Sequence, residues 1–179
     1  MINTKGSAMT ALLRRLTALL LISLLAACGF HLRGQGPNSG FAYPEAYVDG
    51  NGGVAQQLRL YLPLLPNVKL VKDATVKDVA KISIASETSN STVLTINSSG
   101  QATEYLTSLV VTFSAWRPDG SAIMESQQIT LSRSYSYDPN NPIAMTGESN
   151  RLIKDMQQDA SQLILRRINA VATHGQDAR

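Results

Sequence analysis

The chain has 179 residues, 44% of them hydrophobic and 16% charged, a composition that suits one folded domain behind a targeting segment and excludes collagen-like, coiled-coil and disordered classes. Its formal charge of +3 disappears once Lys5, Arg14 and Arg15 are set aside, because basic and acidic side chains balance from Cys28 onward; a nucleic-acid partner held by net charge is thereby excluded. Cys28 is the one cysteine, which rules out an internal disulfide and a cysteine-based zinc site.

Lys5 to Arg15 supplies positive charge, Leu16 to Leu25 is an uncharged apolar run, and Ala26-Ala27 offers the small side chains that a signal peptidase accepts. The run falls well short of the ~20 residues that span a bilayer as a helix. It also lacks the polar stripe of an amphipathic core helix. Residues 1–27 therefore read as a signal peptide. The tetrapeptide Leu25-Ala26-Ala27-Cys28 resembles the lipobox of bacterial lipoproteins. That resemblance implies cleavage between Ala27 and Cys28, a diacylglycerol on the Cys28 sulfur and an acyl group on the new amine. One acyl chain binds a bilayer marginally, at about 0.8 kcal/mol per buried methylene, so the three chains implied make a stable anchor. Gly29, standing where an Asp marks inner-membrane retention, implies sorting to the outer membrane.

Residues 28–42 read as a lipidated N-terminus and tether, since glycine and proline recur densely from Gly29 to Gly53. A single domain is expected over 43–173, with a frayed tail at 174–179. Within it, Tyr43 to Val48 suits a short strand. Val54, Leu58, Tyr61, Leu62 and Leu65 recur at helical spacing, leaving Gln56, Gln57 and Arg59 off that face, and Pro63 and Pro66 end the helix early. Val79, Ile82 and Ile84 predict a half-buried strand, and the polar stretch Ser86 to Ser91 predicts a hairpin turn, with strand resuming over Val93 to Ile96. Asn97-Ser98-Ser99-Gly100 is a further turn signal.

Thr103 to Trp116 is the clearest strand, with Tyr105, Leu109, Val111 and Phe113 alternating against Ser108, Thr112 and Ser114. Pro118-Asp119-Gly120 turns it into a return strand over Ile123 to Tyr137. Both strands exceed the usual 5 or 6 residues, so their ends are expected to project beyond the body. After the Asp138-Pro139-Asn140-Asn141-Pro142 break, a helix is predicted from Ser149 or Asn150, burying Leu152, Ile153, Met156, Ala160, Leu163, Ile164, Ile168 and Val171. Its early Asp155 and Asp159 and late Arg166 and Arg167 match the helix dipole. The sum is an α+β class: two layers, with a mainly antiparallel four-stranded sheet covered on one face by two helices.

The chain offers little catalytic machinery. His31 falls in the tether and His174 in the tail, where solvated histidine is the ordinary reading. No nucleophile elbow, zinc-protease, phosphate-loop or dinucleotide motif occurs, and no metal or cofactor is called for. Glu45, Asp49, Glu87, Glu104 and Glu125 are the candidates for a carboxylate pair, but sequence places no two of them in one pocket. The expectation is a protein that is not an enzyme; a lipid-anchored small-ligand module or hydrolase is the alternative, and needs a pocket with converging polar groups.

Four further stretches carry a resemblance: Cys28-Gly29-Phe30-His31-Leu32-Arg33-Gly34, Gly100-Gln101-Ala102-Thr103-Glu104-Tyr105, Tyr137-Asp138-Pro139-Asn140-Asn141-Pro142, and Leu163-Ile164-Leu165-Arg166-Arg167-Ile168. In this order and behind a lipobox they resemble the LptE family of lipopolysaccharide-assembly lipoproteins, from the signal to about Val171. The resemblance implies a non-enzymatic, lipid-anchored protein of the outer membrane's periplasmic side. It would help assemble the LptD β-barrel, plug it, and take part in delivering lipopolysaccharide to the cell surface. Family members are credited with lipopolysaccharide contact through basic residues at positions that here hold Ser98 and Glu148. Neither is cationic, so no lipopolysaccharide-binding residue carries over; Lys69, Lys72, Lys77 and Lys81 are left as a substitute patch or a solvated edge.

Overall fold

The computed structural model describes Arg14, residues 41–73 and residues 75–174. Apart from Arg14, the expected signal peptide lies outside the described residues, as do the lipidation site at Cys28, His31 and the tail beyond His174. By its contacts the chain divides into Met1–Ser39 and Gly40–Arg179, and the second unit carries every element below.

Strand β1 (Glu45–Asp49) leads into helix α1 (Gly53–Tyr61), a 3-10 turn (Leu62–Leu64) and the three-residue strand β2 (Lys69–Val71). Then come three long strands, β3 (Ala80–Ile96), β4 (Ala102–Trp116) and β5 (Ala122–Ser136), and helix α2 (Pro142–His174). The sheet order is β2-β1-β3-β4-β5. β1 runs parallel to both of its neighbours, because α1 carries the chain back across the sheet before β2 begins, while β3, β4 and β5 form an antiparallel meander.

The core is one layer between one face of the sheet and the two helices. Ala46 and Val48 of β1, Ile82 and Ile84 of β3, and Leu109, Val111 and Phe113 of β4 meet Val54 and Leu58 of α1 and Met156, Ala160, Ile164 and Ile168 of α2, all buried. The four α2 residues recur every four positions, the spacing that keeps one helix stripe against a flat partner. Full burial of the valine, leucine, isoleucine, phenylalanine and methionine side chains among them stabilises by about 1.5–3 kcal/mol each.

The α+β, two-layer class holds, with differences of detail. The sheet has five strands instead of four, and its β1 side is parallel; β2 is too short to show a periodicity of its own. Ser86 to Ser91 is no turn: β3 runs unbroken for 17 residues. Its register shifts between Ile84 and Ser86 opposite Phe113 and Thr112, so Ala85 is an extra residue in a β-bulge. Even-numbered Ala80, Ile82 and Ile84 face the helices before the bulge, and odd-numbered Glu87, Ser89 and Ser91 do so after it. The lost alternation imitates a loop.

Helix α2 starts at Pro142, well before Ser149. Asn141 accepts the Ala144 N–H at 3.3 Å as its cap, and Pro142 takes the first helical position, where a missing N–H costs nothing. Tyr61 and Val171 are exposed rather than packed, at 36% and 37%, while Leu165 and Ala172 are buried instead.

Candidate interaction surface

The helices cover one face of the sheet and leave the other open. On β1 the odd residues point to this open side, since Ala46 and Val48 are buried beneath. Lys69 sits opposite Glu45 in register and binds its carboxylate at 3.1 Å. Lys81, opposite Tyr47, reaches Asp49 at 3.5 Å. Its ammonium lies 5.9 Å from the Tyr47 ring centre and 5.8 Å from that of Trp116. Each contact is solvent-facing and contributes at most about 1 kcal/mol. Their consequence is electrostatic: of the four lysines left as a substitute patch or a solvated edge, Lys69 and Lys81 are paired with β1 carboxylates, and Lys72 and Lys77 stand exposed. The solvated edge is the reading that fits.

Farther along, the open face becomes uncharged and mostly hydroxylic, interrupted by Val110 and Leu106. Thr88, Asn90 and Thr92 of β3 lie opposite Val110, Ser108 and Leu106 of β4, which in turn face Thr130, Ser132 and Ser134 of β5. The Ser108 and Ser132 hydroxyls hydrogen-bond across the strands at 2.8 Å. Cross-strand hydroxyl pairs of this kind hold register while leaving further lone pairs for an outside partner.

Where the long strands leave the core, Glu87 ties three elements together. One of its carboxylate oxygens accepts the Val54 N–H at the start of α1, at 2.8 Å; the other accepts the Gln157 side-chain amide of α2, at 2.6 Å. α1 has no cap from its own Gly52, so a strand residue supplies the acceptor that a helix N-terminus needs. Glycines make room for this. A Cβ on Gly53 would collide with the Gln157 side chain, and one on Gly50 with the Ile84 carbonyl oxygen. Gly50 also has φ 108, a conformation that L side chains rarely adopt. Arg59 of α1, expected off the packed face, donates to the carbonyls of Val48 at 3.2 Å and Gly50 at 2.6 Å and so pins the same corner.

On the helix side of the projecting arm, Tyr105 stacks on Tyr135 and meets Tyr137 edge-on, at centroid distances of 5.8 and 5.0 Å. Ser91 bonds the fully buried Thr107 at 2.8 Å, and Arg133 bonds Asp159 of α2 at 2.9 Å. The β3–β4 tip exposes Val93, Leu94 and Ile96 and is closed by Asn97, whose side-chain oxygen accepts the N–H groups of Ser99 and Gln101. Ser98 is exposed at this tip. Glu148 is engaged by Arg151, at 3.1 and 3.3 Å.

The five candidate carboxylates are not brought into one pair. Glu45 and Asp49 hold separate lysines, Glu87 serves the helix joint, Glu104 accepts from Thr95, and Glu125 is exposed. Among the described residues no group of three His, Cys, Asp or Glu side chains is placed to hold a metal. A shallow concavity of about 370 Å³ lies between the ends of β1 and β2, lined by Tyr47, Val48, Arg59, Leu70, Val71 and Lys72; its arginine is already committed to two backbone carbonyls. Away from the arm, burial pushes the Tyr43 phenol up against the opposing pull of Arg117, and the Thr75 backbone N–H holds Asp73 below the usual carboxylate range. The joint at Glu87 has no periodic signature in the sequence; the cluster Gly50, Gly52 and Gly53 is the one sign of it there.

Comparison with known proteins bears on the same region. Residues 45–168 match the family described as "LptE: Lipopolysaccharide-assembly". The chain is 28% identical over 162 residues to the LPS-assembly lipoprotein LptE of Photorhabdus laumondii, covering 88% of this chain and 87% of that one. It is 26% identical over 151 residues to the LPS-assembly lipoprotein LptE of Pectobacterium atrosepticum, covering 83% and 80%. Among solved structures, the solution NMR structure of an uncharacterized lipoprotein B from Nitrosomonas europaea superposes with a TM-score of 0.67 at 25% identity, over 84% of this chain and 97% of that one.

Proposed function

The chain belongs to the LptE lipopolysaccharide-assembly family, and from that premise we propose that it is a lipid-anchored outer-membrane protein that assists assembly of the LptD β-barrel, plugs its lumen, and takes part in delivering lipopolysaccharide to the cell surface. The observation that carries the proposal is the open sheet face, where serine, threonine and asparagine side chains surround Val110 and Leu106 in place of the continuous apolar set of the covered face. The interior of an outer-membrane barrel is polar and wet; a plug meets it best through uncharged groups that both donate and accept hydrogen bonds.

In this reading the attachment to the bilayer is made by acyl groups on Cys28, cut from Ala27, and not by a protein span. No helix among the described residues is long and apolar enough to cross a membrane. The protein acts by contact and holds no catalytic group, a view favoured by the separate partners of its carboxylates and by relatives named for assembly. Depletion in the native host tests it: LptD should accumulate in misassembled form and lipopolysaccharide should be lost from the surface. Normal LptD with an intact permeability barrier would overturn it.

A further inference from the structure

β5 is the edge strand of the sheet opposite β2, 15 residues long, with Glu125 and Arg133 as its only charged residues. A long edge so poor in charge is a template for pairing with another strand, a hazard that folded proteins usually suppress with charges, prolines or covering elements. Here the suppression is local to the backbone. Tyr137 donates its N–H to the Thr103 carbonyl of β4, so the odd residues of this part of the strand turn their peptide groups inward and the even residues turn theirs outward. Two outward carbonyls are occupied by arginines: Ser132 accepts from Arg133 at 3.1 Å and Gln128 from Arg167 of α2 at 3.4 Å. Arg133 is held in place by Asp159 of α2 at 2.9 Å.

We infer that Arg133 and Arg167 form a guard that closes the β5 edge against strand addition by a second copy of this chain. A second copy is the occupant this edge invites, because antiparallel pairing about a two-fold axis matches the outward groups of residues 128 to 132 with themselves and joins two five-stranded sheets through one ladder. In the guard each arginine lies on an outward carbonyl of the strand, with the Arg133 side chain still half exposed to water. Asp159 serves it by fixing Arg133 from the helix layer.

The test is sedimentation velocity on the purified, lipidated full-length chain in detergent, with R133A/R167A compared to the parent. The guard predicts a monomeric parent and a double variant whose self-association tightens by about tenfold or more. D159N, which removes no cation but frees Arg133, is expected to move in the same direction by less. T130P added to the double variant deletes an outward N–H without touching the β4 ladder and should restore the monomer. A double variant that stays monomeric with its circular dichroism unchanged overturns the inference. So does association that persists in the triple variant. If the double variant loses its fold, D159N decides alone, and its remaining monomeric then counts against the guard.

Discussion

Gln157 of α2 donates its side-chain amide to Glu87 of β3 at 2.6 Å, across 70 residues of chain, and the same carboxylate accepts the Val54 N–H in the first turn of α1. The joint therefore fixes both helices to the point at which the long strands leave the core. Its removal strips a helix cap and leaves a partly buried amide unmatched.

E87A should destabilise the fold by about 1–3 kcal/mol in urea denaturation. Because the two side chains act on each other, the E87A/Q157A cycle should show a coupling of about 0.5 kcal/mol or more. Strict additivity would mean that the contact holds nothing.

Glycine replacements separate two kinds of position. G50A drives a methyl group into the Ile84 carbonyl oxygen at φ 108, and should cost more than about 1 kcal/mol, because neither the clash nor the backbone angle can relax cheaply. G147A, on α2 with nothing within 4 Å of the new methyl, should instead stabilise by about 0.5–1 kcal/mol. Thermal or urea melts of the pair check the contrast, and an equal loss in both would refute the packing at Gly50.

The elements legible in the sequence are those whose periodicity no tertiary event interrupts. β4 alternates cleanly from Tyr105 to Phe113 because one face is sealed by helices and the other open. α2 shows its Met156, Ala160, Ile164 and Ile168 stripe for the same reason. Ala85 hides the middle of β3, since one inserted residue swaps the faces and makes a strand look like a polar turn. Pro142 reads as a breaker because it follows Asn141 in a loop-like run, although the pair is a cap and first helical residue. The parallel placement of β1 depends on which strand it meets, which no local pattern records. Glu87 cannot be singled out for a related reason: its orientation is decided by the bulge two residues earlier.

Asp73 supplies a pH signature. Its carboxylate accepts the Thr75 N–H and hydroxyl at 2.9 and 2.8 Å, which keeps its pKa below the usual value. A depressed folded pKa means that the turn's stabilisation is present above the ordinary carboxylate value and is lost as pH falls through the depressed one. The Thr75 amide resonance should therefore titrate with a midpoint below the ordinary carboxylate range, and D73N should abolish that step. A midpoint at the ordinary value would contradict the hydrogen-bonded turn.

Affinity capture of the full-length chain from detergent-solubilised outer membrane, with quantitative mass spectrometry of what accompanies it, puts the central claim to its most direct trial. A plug that works by contact from a lipid anchor predicts LptD recovered in near-equal amount, together with a bait whose N-terminus is an acylated Cys28. Recovery of the chain without LptD, or with an unmodified cysteine behind an intact leader, would contradict it.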